Sequence, residues 1–366
     1  MTSYSLPFCA ALAVIATSAS AELKYQNDTG GSVELYGQLN PAYLSFDDGQ
    51  ETTDALTDST HSNSRIGLWV RQAFGENTFT FNFETGLGLR PSSSVSQTFE
   101  ADALNWQRVN IRKIDFSLKT ERYGVFSAGQ GSMAADGAAE VDLSGTTLAT
   151  YVSIPDTAGA FSFRETGGNL SNWQIGDVFG DFDGGRLGRI RYDTPVFSGF
   201  SISASYGTEI LAENVDLDSA SIAINYAGEI GDFKMAGALA YARTDPEGAE
   251  DFSDTIGSFS VLHSSGTSVT VASGRRSEQG HYAYGKLGYQ GHWLSFGKTA
   301  LSIDYYRGWD RSIQGSRSDA FGFGAVQHID DINAEIYLGY RTYELTDAAA
   351  DYQDASSIFF GTRWKF

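Results

Sequence analysis

Beyond residue 32 the chain alternates apolar and polar side chains with a period of two, the pattern of strands that present one face to an apolar medium and one to water. Between Ile332 and Tyr343, the set Ile332, Ala334, Ile336, Leu338 and Tyr340 interleaves with Asn333, Glu335, Tyr337, Gly339 and Arg341. Phe200, Ile202, Ala204 and Tyr206 likewise oppose Ser201, Ser203 and Ser205, and Leu301, Ile303 and Tyr305 oppose Ser302, Asp304 and Tyr306. Sixteen segments of this kind start near residues 33, 63, 78, 106, 122, 186, 199, 219, 232, 255, 267, 281, 299, 319, 332 and 356. An even number of antiparallel strands brings both chain ends to one side and lets the sheet close without a free edge.

The connections alternate in length. Short turns at Phe74 to Asn77, Thr120 to Gly124, Thr194 to Gly199, Ala227 to Asp232, Ser264 to Gly266 and Asp330-Asp331 are separated by longer polar stretches. These stretches are Phe46 to Asn63, Pro91 to Asn105, Thr208 to Asp218, Arg243 to Asp254 and Leu345 to Ala355, and short turns on one rim with long loops on the other are the habit of outer-membrane barrels. Aromatic residues gather toward strand ends, as at Trp69, Phe79, Phe81, Phe83, Tyr289, Trp293, Tyr305, Tyr306 and Trp364, where rings suit a membrane–water interface. Trp69 is an exception in parity, because it shares the side of Arg65 and Arg71.

Composition agrees with an all-β chain: 41 glycines, 24 Phe and 19 Tyr against only 6 prolines. No run after the N-terminus approaches the roughly 18 apolar residues of a spanning helix, so any membrane crossing uses strands. Leu6 to Ala16 followed by Ala19-Ser20-Ala21 reads as a secretory signal at 1–21, cleaved before Glu22 to leave a single domain at 22–366. Cys9, the only cysteine, leaves with it, which excludes disulfides and thiol chemistry from the mature chain. A formal charge of −20 argues against nucleic acid as a partner, since such binding relies on cations that neutralise phosphates.

Several stretches resemble the trimeric Gram-negative porin family. Ser32 to Gln38 (SVELYGQ) and Ser64 to Val70 (SRIGLWV) look like its first two strands, and Arg191 to Gly207 (RYDTPVFSGFSISASYG) is similar to its proline-containing turn. The ending IFFGTRWKF, with Ile358, Phe360, Trp364 and Phe366 on one face, looks like the signal read by the barrel-assembly machinery, with Phe366 as its last residue. The resemblance covers essentially the whole mature chain. It implies a transmembrane antiparallel β-barrel of 16 strands in the outer membrane, a homotrimer surrounded by outer-membrane lipid, passing small hydrophilic solutes and ions by passive diffusion without a cofactor or metal. It also implies that the long gap at 131–185 is a third loop folded into the lumen as a constriction, with Asp136, Glu140 and Asp142 in the place of the family's acidic residues. The family's PEFGG-like core is absent from this loop.

Parity gives the opposite wall. Arg65 alternates with Ile66, Leu68 and Val70, and Arg71 follows on its side; Arg108 and Arg112 alternate with Val109 and Ile111; and Ile114, Phe116 and Leu118 switch parity, which predicts a bulge near Lys113. Arg186, and with it Arg189 and Arg191 alternating with Ile190 and Tyr192, belong to the sixth strand; Arg65 and Arg186 resemble family arginines. Charges at bilayer depth are tolerable where water fills a lumen. The alternative is a plugged barrel whose arginines pair with Glu84, Asp115 or Asp304. With −20 overall the expected ion preference is weakly cationic, and Glu140→Gln with Asp142→Asn is expected to shift it toward anions.

Other classes fit less well. A substrate-selective channel shares every feature above. An outer-membrane hydrolase needs a base beside a nucleophile, and His61, His263, His281, His292 and His328 are scattered with no G-x-S-x-G setting. Asp181 and Asp183 in GDFDGG have a spacing that can ligate calcium, without the full twelve-residue loop, and an acidic turn is the plainer reading. A propeller or lectin would repeat at about 40 to 50 residues, and no such period is present.

Overall fold

The computed structural model describes residues 23–366, so the signal segment expected at 1–21 lies outside the described residues. Strand β1 (31–47) is formed by Gly31–Leu39 and Pro41–Asp47, and β2 (52–74) by Thr52–Asp58 and Arg65–Phe74. Then follow β3 (Asn77–Gly86), β4 (Ile111–Thr120), β5 (Gly124–Ser132), β6 (Arg186–Asp193), β7 (Phe200–Thr208) and β8 (Leu217–Ile230). The second half comprises β9 (Phe233–Pro246), β10 (Phe252–His263), β11 (Thr267–Arg276), β12 (His281–Leu294), β13 (Gly297–Trp309), β14 (Arg317–Ile329), β15 (Ala334–Thr346) and β16 (Ala355–Lys365). Each pairs antiparallel with its neighbour in sequence, and β16 returns to β1, so the sheet closes as a sixteen-stranded barrel.

Closure uses both chain ends. Ser356 to Gly361 pair with Asp47 to Ala42, and lower down Gln38 pairs with Lys365 while Gly37 and Phe366 exchange both backbone hydrogen bonds at 2.9 and 3.1 Å. Below that point the N-terminal strand Lys24–Gln26 takes over, pairing with Ser32 to Glu34 on the same edge of β1. The two termini thus share one stave.

Connections alternate between the rims: 75–76, 121–123, 194–199, 231–232, 264–266, 295–296 and 330–333 on one side, and 48–51, 87–110, 133–185, 209–216, 247–251, 277–280, 310–316 and 347–354 on the other. The expected loop from Phe46 to Asn63 is corrected: Pro41–Asp47 and Thr52–Asp58 pair in register, so only a tight turn remains at 48–51. The Asp48 carboxylate forms this turn by accepting the backbone N–H groups of Gln50 and Glu51 at 3.1 and 2.9 Å, the local alternative that Asp offers a chain reversal. The bulge falls one residue before its expected place. Glu84 pairs with Lys113 and Thr85 with Ile111, leaving Arg112 as the extra residue.

Alternation now reads as inside and outside. Leu35, Ile66, Phe233, Ile336 and Phe360 are between 39% and 50% exposed on the outer wall, while their neighbours Tyr337, Arg341, Tyr343 and Phe359 are buried inside. No helix among the described residues is long and apolar enough to cross a membrane. Tyr306, expected at an interface belt, points inward instead and stacks on Tyr282 at 5.3 Å, fully buried.

What buries these side chains is the segment 133–185. Its Ile154, Phe161, Phe163, Ile175, Val178 and Phe179 form one apolar cluster with inward Leu44, Phe46, Tyr306 and Tyr343 of the barrel. Phe46 stacks on Phe161 at 4.1 Å. Within the segment, Ser162–Arg164 and Leu170–Gln174 pair as a small separate hairpin, so the strands suspected near Asn169 to Asp177 exist without altering the count of sixteen. Room for the segment comes from small inward residues: a Cβ on Gly339 would lie 2.4 Å from the Ala149 carbonyl oxygen, and one on Gly324 2.7 Å from the Thr150 hydroxyl.

Because the described residues carry no cysteine, single cysteines placed among them report the two faces. Cysteines at Leu35, Ile66, Phe233, Ile336 or Phe360 are expected to resist a membrane-impermeant thiol reagent in intact membranes, and one at Arg65 to react. Reversed reactivity would mean that the register is shifted by one.

The charged wall and the segment that faces it

Two sets of inward charges differ in their surroundings. On β9 to β15 the segment 133–185 covers the wall, and hydroxyl side chains stand in for a neighbouring strand. Ser258 and Ser260 of β10 accept hydrogen bonds from the backbone N–H of Val141 and Leu143, both at 2.9 Å, and the Ser258 hydroxyl donates to the Ala138 carbonyl at 2.7 Å. Residues two apart on the segment meet residues two apart on the strand, which is the spacing of a β ladder.

Ionic anchors complete the attachment. Lys286 Nζ donates to Asp142 and to the Thr150 carbonyl, both at 2.7 Å, with both side chains almost wholly buried. Arg341 is paired with Asp304 at 2.9 Å and reaches the Tyr151 carbonyl at 3.5 Å. Arg164 makes a two-pronged contact with Asp48 at 2.9 and 2.8 Å, joining the segment to the 48–51 turn. Removing one partner of such a buried pair strands the other charge at a penalty of about 3–5 kcal/mol. Burial acts to raise the Asp142 carboxyl, but the Lys286 ammonium and the Ser144 donors outweigh it and hold the group below the usual carboxylate range. Asp142 is therefore ionised but cancelled, and it presents no free charge to a passing solute.

Glu140 and its neighbours behave in the opposite way. Burial, reinforced by Asp183, Asp181, Asp156 and Asp136, pushes the Glu140 carboxyl up to about 9. Burial and Asp181 push Asp183 up to about 8, although it accepts the backbone N–H groups of Gly137 and Ala139 at 2.6 and 2.8 Å. Asp181 accepts the Asp183 N–H at 3.1 Å, so the GDFDGG stretch ties a turn. Glu140 thus holds a proton at neutral pH. Asp136 alone of the three expected acidic residues approaches a wall arginine, Arg186, at 3.6 Å.

On β1 to β6 and β16 the inward Arg65, Arg71 and Arg112 keep contact with open space, whereas Arg189 is buried. Arg65 and Arg112 converge on Glu84 at 3.5 and 2.6 Å, and Tyr36 donates its phenol to the same carboxylate at 2.9 Å. The Arg112 guanidinium also reaches the Asn63 side-chain oxygen at 3.1 Å, an approach that the bulge permits. Arg71 pairs with Glu34 at 2.7 Å and lies 4.8 Å above the Trp69 ring; Lys113 lies 5.9 Å above it. Arg189 is clamped bidentately by Asp115 at 2.9 and 2.8 Å. Arg108 precedes β4 in a short 3-10 turn, Arg108–Asn110, and donates to the Leu211 carbonyl at 2.6 Å, so it braces a rim loop rather than standing in the row. The carboxylates of the plugged-barrel alternative, Glu84, Asp115 and Asp304, do each hold arginine, but only Asp304 does so beneath the segment.

Sequence reading missed Lys286, Arg341 and Arg164 as anchors and Arg363 and Lys365 as wall cations, the last two sharing Glu335 at 2.6 and 3.3 Å. Parity would have turned four of them inward: Lys286 follows buried Tyr282 and Tyr284, Arg341 follows Tyr337 and Gly339, and Arg363 and Lys365 alternate with Trp364. Among the histidines, His263 Nδ1 lies 2.8 Å from the Ser265 hydroxyl at an exposed turn, and His61 is tucked between Thr147 and Thr157.

A closed barrel with an apolar exterior and a charged, partly filled interior is a membrane channel of the outer-membrane type. The chain belongs to the Gram-negative porin family, whose model matches residues 9–348, and it is an outer-membrane channel for passive diffusion of small hydrophilic solutes and ions. No curated protein matches the sequence. Among solved structures, the anion-selective porin from Comamonas acidovorans is similar at TM-score 0.57, with 15% identity over 92% of this chain and 100% of that one. Salmonella typhi OmpF in complex with daunomycin is similar at 0.58, with 13% identity over 94% and 100%. OmpT of Vibrio cholerae, folded in vitro and in trimer form, is similar at 0.55, with 15% identity over 92% and 99%. At these identities the likeness concerns the fold.

The carboxyl cluster makes the seating of the segment pH-dependent. Carboxyls whose folded pKa is raised favour the folded arrangement most at low pH, and that contribution is lost as pH rises through about 8 to 9. Single-channel recordings are therefore expected to become noisier between pH 7 and 10, and Glu140→Gln is expected to flatten the change. A trace that is equally quiet at both pH values would remove the cluster from this role.

Proposed function

We propose that solutes cross along the wall of β1 to β6 and β16, and that the segment 133–185 narrows the lumen opposite it. The observation that carries this reading is the asymmetry of burial: Ser258, Ser260, Lys286, Asp304 and Arg341 are closed off beneath the segment, whereas Tyr36, Arg65, Trp69, Arg71 and Arg112 on the other wall retain exposure. Arg65, Arg112 and Arg186 are the basic side of the narrowing and Asp136 the acidic side; Arg71 extends the basic wall away from it, while Arg189 is buried against Asp115. In a passage of intermediate dielectric each uncompensated charge acts on an ion at contact by about 1–4 kcal/mol. Substrate selectivity would arise from the same residues.

Replacing Arg65 and Arg112 together by alanine should widen the passage, raise single-channel conductance and move the reversal potential in a salt gradient toward cations. The shift should shrink at 1 M salt, where the Debye length is about 3 Å. Because Glu140 is protonated and Asp142 is paired, Glu140→Gln should leave the reversal potential at pH 7 unchanged. An unchanged potential in the double arginine variant would put the passage elsewhere.

The working unit we propose is a homotrimer. Support comes from the trimer form of the Vibrio cholerae neighbour and from an outward hollow of about 590 Å³ walled by Tyr43, Leu56, Ile336 and Phe360, which an adjoining subunit would fill. Phe366, locked to Gly37, is the terminal residue the assembly machinery would read. Unheated gel electrophoresis should give a band of three chains that collapses to one on boiling; a single-chain band before heating would exclude the trimer.

A further inference from the structure

At the narrowing, toward the rim with the long loops, lies a cavity of about 280 Å³ between β4, β5, β6 and the 209–216 loop, lined by Asn63, Asn110, Arg112, Gln130, Arg186 and Glu209. Its polar groups are incompletely matched. Arg186 Nε is buried without a hydrogen-bond partner, and its nearest carboxylate, Asp136, stands 3.6 Å from Nη2, outside hydrogen-bond range. The Gln130 side-chain oxygen is also buried and without a partner. Arg112 is oriented in the opposite wall of the cavity by Glu84 and Asn63 through Nε and Nη1. A buried donor on a charged group left unsatisfied is expensive, and an anionic acceptor relieves that cost more fully than a neutral one.

The surrounding charge has the same sign as these two guanidiniums. One carboxylate, Glu84, serves both Arg65 and Arg112, and Lys113 lies against Trp69 with no carboxylate within ion-pair distance among the described residues. Glu335 likewise serves both Arg363 and Lys365. The wall is therefore positive although the chain carries −20. Two carboxylates at the cavity edge temper this field: Asp136, and Glu209, which accepts the backbone N–H groups of Leu211 and Ala212 at 2.6 and 2.9 Å. They would repel a doubly charged phosphate more than a singly charged group, and the planar fork of a guanidinium fits a carboxylate.

We infer that the Arg112–Arg186 cavity is a binding subsite for small organic monocarboxylates on their way through the channel, and that the passage prefers anions despite the acidity of the chain. This rests on the route proposed above along β1 to β6. The unpartnered Gln130 oxygen accepts a hydroxyl of the same solute, so a hydroxylated carboxylate fits best. Net charge misleads about selectivity here because many acids lie away from this wall, among them Asp48 and Glu51, Glu247, Glu250 and Asp251, and Asp304 beneath the segment.

The test uses the purified full-length channel in planar bilayers with chloride as current carrier, titrated with sodium gluconate and, separately, with glucose as a neutral probe of similar size. Gluconate should reduce the chloride current with saturation and glucose should not, and Arg186→Gln should raise the half-blocking concentration at least tenfold. If Arg186→Gln yields no channels, Gln130→Glu, which sets a negative charge in the cavity, should give the same loss. Unsaturable passage of gluconate, or equal block in the variants and the parent, would overturn the subsite. The outcome for Arg65→Ala with Arg112→Ala separates the two ideas: a normal conductance in that variant sinks the route itself, whereas a changed conductance in that variant together with unsaturable gluconate passage in the parent channel sinks the subsite alone.

Discussion

In a bilayer core no water is available to an unpaired backbone N–H or C=O, so a sheet can enter only if it has no edge. Everything in this molecule depends on how that closure is made. The seam joins β16 to β1 in three lengths: the upper register with Pro41–Asp47, the Gly37–Phe366 exchange, and the strand Lys24–Gln26 that continues the edge where the C-terminus runs out. Closure then creates two environments from one period-two sequence. The outward positions are apolar because they meet lipid, and the inward ones are free to carry arginine and lysine because water or protein lies there.

That is also why so much of the fold was legible. Side-chain parity in a strand is a strict consequence of geometry, so Ile336 against Arg341, or Ile66 against Arg65, declares a face without any knowledge of neighbours. The bulge was legible for the same reason, as a change of phase around Lys113, and its displacement to Arg112 is within the resolution of phase counting. What parity does not carry is partnership. Nothing in the sequence around Asp142 announces Lys286, 144 residues away, or links Arg164 to Asp48 across 116. From sequence alone, Asp142 and Glu140 therefore carry the free charges of a constriction. In the folded chain Asp142 is cancelled by an ammonium and Glu140 is crowded into keeping its proton. The loop between Phe46 and Asn63 was misread because its strand halves are too polar to stand out, with Asp47, Asp54 and Asp58 breaking the alternation.

The two walls divide the work of the barrel. Serine, glycine and alanine on β10 to β15 make a surface on which another piece of backbone can lie at hydrogen-bonding distance, and the Phe46–Phe161 and Phe179–Tyr306 contacts give it an apolar core of the kind found in soluble proteins. On the opposite wall Glu84 and Glu335 are each shared between two cations, which leaves a positive strip inside an acidic molecule. Total charge describes how the molecule is seen from outside, through screening solvent; the strip describes what a solute meets once the walls are within a few ångströms.

The attachment of the segment 133–185 also has a consequence in time. Its hydrogen bonds reach forward to Ser258 over 117 residues, to Thr150's partner Lys286 over 136, and from Tyr151 to Arg341 over 190. Contacts of such separation form only after the intervening chain has been organised, because the entropy of closing the loop comes before any bond rewards it. The segment is flanked by β5 and β6, yet apart from Leu44, Phe46 and Asp48 the surface that receives it is built from strands synthesised later. The chain must therefore pass through a stage in which the cylinder exists and its interior is still open, and the filled interior is the last part of the architecture to mature.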